Sequence, residues 1–476
     1  MAHHKTNPKD IVPISQKMAF GAGHLVLNLL PGALGIFMFF LLTAFGMDPF
    51  LAGLLGGLPR IFDALTDPIM GFISDNTKSR WGRRRPYIFV GAILSGIFFI
   101  VLWQLDPEDS VNYNFWYFLI MSMVFLIGNT MFATPLIGLG YEMTSDYNER
   151  TRIMAFSQTI GQIAWMIVPW FWVLIANPDL FETQAIGVRR LSIIVGAVCL
   201  ILGLLPAIFC KGIDSAHMEN RKKITFKTMF SNLKDLLDGI VQVSKNKPFM
   251  KLCGATFLVF NGFQLVASFS YFIIVYYMFQ GDFGAAGNWP AWFSTITAVI
   301  TAFGVIPIVT WMANNWGKRN AFVISTAISI VGYILKWWGF NPDYHWLIFL
   351  PVPFMAFGLG GLFTLMMSMT ADVCDLDELR NGMPRKEGTF GAIYWWMVKL
   401  GQALALVLGG LVLKVVGFDG NAAVQTAETI RDLRIADIVI PAVTAALAIV
   451  IMWKYSLNET RAAEIKQILV DRRGEL

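Results

Sequence analysis

The chain has 476 residues, 56% of them hydrophobic and only 14% charged, with a mean hydropathy of +0.57 and a formal net charge of +5. A soluble domain carries about 25% charged residues, so the composition excludes an ordinary soluble enzyme or binding module. The apolar residues also come in long runs, each able to cross a ~30 Å hydrocarbon core, rather than in the short alternating segments of a β-barrel.

Twelve such runs are centred near residues 31, 62, 97, 127, 165, 198, 262, 300, 330, 360, 403 and 444. They predict an all-α polytopic membrane protein. The polar residues before the first run are not followed by a short apolar stretch with a small-residue cleavage site, so no secretory leader is expected. The second run contains "RIFDALTDPIMG" (residues 60–71), which carries Arg60, Asp63 and Asp67. A carboxylate at the centre of a span costs at least ~2.5 kcal/mol, and such residues mark ion or solute paths. Asp63 and Asp67 are spaced i, i+4, so both acids share one helix face, where like charges repel. A cation between them, a shared proton, or a closed salt bridge with Arg60 would relieve that repulsion. Two carboxylates with a neighbouring hydroxyl such as Thr66 supply the oxygen ligands that a hard ion such as Na⁺ takes. Arg60 is otherwise a candidate contact for an anionic solute.

After the second run, "TKSRWGRRRP" (77–86) is dense in cation. It is too short and too close to the bilayer for a nucleic-acid site. As a latch, Arg83 and Arg84 are expected to pair with acids such as Glu142, Asp146 or Asp372. The longest polar stretch, residues 211–248, places Phe226, Met229, Phe230, Leu233, Leu237 and Ile240 at helical spacing with lysines between them. It predicts an amphipathic helix on the membrane surface. The chain is thereby divided into an N-terminal six-helix bundle (1–210), this linker (211–248), a C-terminal six-helix bundle (249–455) and a tail (456–476).

The two halves repeat. "SRWGRRRPYIFVG" after the second run is echoed 235 residues later by "NNWGKRNAFVIS", and "MTSDYNER" after the fourth by "DVCDLDELR" after the tenth. Duplicated six-helix halves that rock about a shared site are a common transporter architecture. The acids do not repeat: the same shift sets Asp63 against Ala298 and Asp67 against Ala302. They are therefore expected to serve something that only the first half does.

In the eleventh run, "YWWMVKLGQALA" places Lys399 near the middle of apolar sequence, as the most deeply set cation expected in the second half. Tyr394 and Trp395 precede it, and aromatic faces are what sugar rings stack on. Of the 37 Lys and Arg residues, 29 fall on the N-terminus, the even-to-odd connections and the C-terminus. The positive-inside rule then predicts a plasma or inner membrane protein with both termini cytoplasmic. The four cysteines follow no disulfide or metal pattern and are read as buried apolar residues. A Walker motif, a dinucleotide fingerprint and a nucleophile elbow are all missing, so neither an enzyme nor an organic cofactor is expected.

"FDALTDPIMGFISDNTKSRWGRRRPYI", "DYNERTRI" and "ADVCDLDELRNGMPRKEGTFGAIYWWMVKLGQALA" resemble the glycoside–pentoside–hexuronide:cation symporters of the major facilitator superfamily, to which melibiose permease belongs. The resemblance runs through all twelve predicted spans and implies two pseudo-symmetric six-helix bundles. It implies cation binding by Asp63 and Asp67 with the hydroxyl of Thr130, and a place for Lys399 near the cation and the sugar. It also implies a charge network containing Arg150 and Asp372, with Asp375 nearby. Where the family grips its sugar with charged side chains, this chain has Asn28, Ala133, Ile137 and Gln158. The expected partners are a glycoside-like solute, a monovalent cation (Na⁺, favoured by the hydroxyls, or H⁺) and the lipid bilayer, with the chain a monomer. The competing readings are a receptor or scaffold that does not transport, and a carrier of a lipid-like or organic-anion solute.

Overall fold

The computed structural model of the protein describes residues 11–144, 147–212, 245–267, 269–381, 387–420 and 424–457, with isolated positions in the intervening and C-terminal stretches. The amphipathic helix expected within 211–248, Asp146 and most of the 456–476 tail lie outside the described residues. Among those described there is no strand. The chain divides into two compact units, Met1–Lys234 and Asp235–Leu476.

The first unit contains α1 (Ile14–Thr43), α2 (Pro49–Asn76), α3 (Arg85–Leu102), α4 (Val111–Glu142), α5 (Tyr147–Ala176) and α6 (Gln184–Phe209). Polar side chains start several of them. Asp48 accepts from the Phe50 N–H, Ser110 from Tyr113 and Thr183 from Ile186, each satisfying an amide that has no partner within its helix. Prolines sit inside α1, α2, α4, α5 and α6. Neighbouring helices make such breaks tolerable in a membrane bundle.

The second unit contains α7 (Lys247–Val266), continued by Phe269–Phe272 and a π-helical turn, Ile273–Met278. Next come the short helix Phe283–Ala286 and then α8 (Trp289–Val299), joined through a second π-helical turn, Ile300–Val305, to α9 (Ile306–Trp316). The unit ends with α10 (Lys318–Gly339), α11 (Val352–Asn381), α12 (Glu387–Val415) and α13 (Ala427–Trp453). Ala298 and Ala302, the counterparts of Asp63 and Asp67, fall on α8 and in that second π-helical turn.

Eleven helical stretches are long and apolar enough to cross a membrane among the described residues. The remaining predicted span is α2, 28 residues long, which is set apart by its charges at positions 60, 63, 67 and 75. Large apolar residues such as Ile201, Phe209 and Val450 stay exposed at the protein surface. Lipid tails are as apolar as these side chains, so burying them against protein gains little.

The duplication extends to packing. In the first unit α1 packs on α5 and α6, α3 on α4 and α6, and α2 on α4. In the second, α7 packs on α12 and α13, α10 on α11 and α13, and α9 on α11. Each unit contains very close helix approaches at glycines. A Cβ on Gly91 would lie 2.4 Å from the Phe132 amide nitrogen, and one on Gly332 would lie 2.3 Å from that of Met355. Without hydrophobic drive between helices, such small residues let backbones meet and dispersion act. Aromatic rings complete the first core: Phe37 packs edge-on against Trp103 at 5.3 Å, and Phe40 stacks on Trp172 at 5.2 Å.

Candidate functional site

The acids of α2 face α4. Asp63 is buried, with only 3% of its surface exposed, and its Oδ1 accepts a hydrogen bond from Thr130 Oγ1 at 3.0 Å. One turn on, Asp67 Oδ1 accepts from Thr134 Oγ1 at 3.4 Å. Both helices advance by four residues between these contacts, so α2 and α4 meet in two successive rungs of one acid and one hydroxyl each. Thr66 closes the first rung: its Oγ1 donates to the Asp63 carbonyl at 3.2 Å and lies 3.4 Å from Thr130 Oγ1. The structure thus brings together Asp63, Thr66 and Thr130, and places Asp67 on the next turn.

Two internal prolines add backbone oxygen to the same region. Pro68 has no N–H to give the Ala64 carbonyl, and Pro135 has none for Met131, so each helix frees one carbonyl beside the acids. Every donor here is oxygen, the element hard cations take as ligand. Among the described residues no group of three or more His, Cys, Asp or Glu could hold a metal. The named set carries none of the nitrogen and sulfur ligands that soft transition metals require. Arg60 is half-buried one turn before Asp63 and forms no ion pair with either acid among the described residues. The closed salt bridge considered from sequence is not formed.

The residues aligned with the family's sugar clamp fare differently. Asn28 is already engaged: its Nδ2 donates to the His24 carbonyl at 2.8 Å, and its Oδ1 accepts from Trp165 Nε1 at 3.1 Å. Gln158 lies on α5, but its side chain is outside the described residues, as is that of Arg150. Tyr394 corrects an expectation. It is 1% exposed in the second unit's core, where its hydroxyl accepts from Thr256 Oγ1 at 3.3 Å, so it offers no open ring face. Trp395 is the exposed member of that pair and stacks on Phe363, with centroids 6.4 Å apart. Lys399 is half-buried on α12.

Lys399 is not the most deeply placed cation of the second unit. Lys336 of α10 is 3% exposed and forms an ion pair with Asp437 of α13, itself 1% exposed. Its Nζ also donates to Ser270 Oγ at 3.1 Å. Sequence reading passed over this pair because Lys336 lies near the end of its apolar run, where a lysine ordinarily snorkels to the interface.

Among the described residues, several members of the expected charge network form ion pairs inside their own unit. Arg83 Nε and Arg84 Nε donate to the same Glu142 oxygen at 2.7 and 2.6 Å, and Arg84 also reaches Asp75 at 2.7 Å. Arg84 lies directly over Gly138, where any Cβ would fall 1.7 Å from its guanidinium. Asp372 pairs with Lys318 of its own unit at 2.6 Å, and Asp375 is half-buried on the same helix. The cationic loop pairs with Glu142 as foreseen, whereas Asp372 has Lys318 as its partner.

Comparison with known proteins agrees with this architecture. Residues 19–459 match the family described as MFS/sugar transport protein. The chain is 26% identical to the glucuronide carrier protein homolog of Escherichia coli (strain K12), over 88% of this chain and 87% of that one. It is 22% identical to the sodium-dependent lysophosphatidylcholine symporter 1-B of Danio rerio, over 99% and 92% of the two chains. Among solved structures, a bacterial homolog of the human lysosomal transporter Spinster, in an inward-facing and occupied conformation, superposes with a TM-score of 0.66 at 12% identity, over 94% of this chain and 97% of that one. The chain belongs to the MFS/sugar transport protein family and is a multi-pass secondary transporter with the major facilitator fold.

Proposed function

We propose that the protein is a Na⁺-coupled symporter that carries a glycoside-like solute by alternating access, with both termini cytoplasmic. The observation that carries this reading is the double rung of α2 and α4: two acids, three hydroxyls and two proline-freed carbonyls within two turns near the middle of their helices. Asp63, Asp67, Thr66 and Thr130 hold the ion, and Thr134 joins them. A bound cation cancels the repulsion between the carboxylates, which favours the arrangement that also binds solute. The coupling is reciprocal, so solute tightens ion binding by the same factor. Lys399, Trp395 and Arg60 are assigned to the solute path, together with Asn28 of α1 and Gln158 of α5. The Arg83–Arg84–Glu142 cluster and the Lys318–Asp372 pair act as cytoplasmic latches that open as the halves rock.

The glucuronide carrier homolog supports a sugar-derived solute, and methyl β-D-glucuronide is the first probe. In proteoliposomes an inward Na⁺ gradient should concentrate it, whereas Asp67→Asn should abolish accumulation and leave downhill exchange. Accumulation by Asp67→Asn equal to wild type would overturn the cation assignment. A pH gradient that drives uptake without sodium would replace Na⁺ by H⁺.

The relative that is a lysophosphatidylcholine symporter favours a second reading, in which the solute is lipid-like. The neutral or apolar residues Asn28, Ala133 and Ile137 suit it. Sodium-dependent stabilisation by lysophosphatidylcholine and none by glucuronide, measured by thermal shift, would select it.

A further inference from the structure

We infer that Trp165 is a solute-binding residue, an aromatic platform for the apolar face of a pyranose-type ring, with Asn28 as the positioning residue that fixes the indole. This rests on the symport reading above and names a residue that neither the family resemblance nor the sequence pattern singled out. Trp165 lies near the middle of α5, opposite Asn28 near the middle of α1. Its side chain is 43% exposed, yet its position is held: Nε1 donates to Asn28 Oδ1 at 3.1 Å, and Asn28 is itself anchored through Nδ2 to the His24 carbonyl at 2.8 Å. Gly161, one turn before Trp165, makes room for this bracket, because a Cβ there would lie 2.9 Å from Asn28 Nδ2.

The ring lies where exposed apolar and polar side chains adjoin: Ile163, Met166 and Ile167 are exposed beside it, and so is the Gln162 amide. Gln162 and Trp165 are spaced i, i+3, so one face of α5 carries an amide and an indole N–H at mid-helix. Polar groups left without partners in hydrocarbon cost several kcal/mol each. Gln162 is exposed on that face. Two turns beyond Asn28 on α1, Gly35 has nothing within 4 Å of where a Cβ would be, which leaves the adjoining surface open. An indole fixed at one edge and 43% exposed, with an amide alongside, offers what a ring bearing both C–H faces and hydroxyls requires.

The test combines two readouts on the full-length protein. In a variant lacking the four native cysteines, all of them buried, Trp165→Cys should react with the charged, membrane-impermeant reagent MTSET from the aqueous phase. A side chain facing lipid would not react, and absence of labelling would overturn the proposal. In proteoliposomes, Trp165→Ala should weaken half-saturation for methyl β-D-glucuronide about tenfold, the effect of losing one aromatic contact. Stabilisation by Na⁺ alone should be unchanged, because the acids of α2 are untouched. Trp165→Phe and Asn28→Ala should each weaken half-saturation about threefold, and the double variant no more than either, since both remove one hydrogen bond. Unchanged half-saturation in Trp165→Ala would also refute the platform. If the wild-type protein ignores the glucuronide, the glycoside reading fails, and the thiol reaction alone then decides whether Trp165 lines the solute path.

Discussion

The Lys336–Asp437 pair offers a quantitative test of how this bundle tolerates charge. Both side chains are almost fully enclosed, at 3% and 1% exposure. Removing one partner of such a pair typically costs about 3–5 kcal/mol, whereas replacing both by apolar side chains is neutral or stabilising by about 1–4 kcal/mol. The structure orders the two single changes. In Asp437→Leu the ammonium keeps Ser270 at 3.1 Å and the Phe340 ring at 5.4 Å, and it lies one turn from the end of α10, within reach of the interface. In Lys336→Met the carboxylate keeps less, because its Oδ1 has no hydrogen-bond partner among the described residues. Asp437→Leu therefore belongs near the lower bound and Lys336→Met near the upper. At about 2–4 °C per kcal/mol for units of this size, the losses are roughly 6–12 °C and 10–20 °C. The double variant should melt close to wild type. Thermal unfolding of the purified protein, followed by fluorescence-detected size-exclusion chromatography, reads all three. A double variant as unstable as Lys336→Met would refute charge compensation as the role of the pair, and a Lys336→Met protein melting within ~1 °C of wild type would show the site to be hydrated.

Other outcomes follow from named contacts. Thr134→Ala removes a hydroxyl from the second acid and should weaken Na⁺-dependent stabilisation about tenfold, the worth of one hydrogen bond to a charged group. Thr130→Ala should do at least as much, since its contact is the shorter one. Thr134→Ser, which keeps the hydroxyl, should restore binding. Gly138→Ala should expel the Arg84 guanidinium and reproduce Arg84→Ala in thermal stability. Combining the two changes should add little, because both break the same cluster with Glu142 and Asp75. Gly91→Ala and Gly332→Ala should each lower the melting temperature, since each Cβ meets backbone that cannot move aside cheaply.

Membrane class, the positions of the spans and the duplication of the halves were legible in the chain alone. These follow from the length of apolar runs and from loop motifs, which are local properties of the chain. The i, i+4 placement of Asp63 and Asp67 likewise required no tertiary information, because helical periodicity alone puts them on one face. The partner across from Asp67 was another matter. Thr134, Trp165 and the Lys336–Asp437 pair were not singled out from sequence, and Tyr394, expected beside the solute, proved to be core. Each of these depends on which helix face meets which neighbour, and at what register. In a bundle where nearly every residue is apolar, periodicity does not distinguish a face turned to lipid from one turned to protein, so only the packed arrangement decides it.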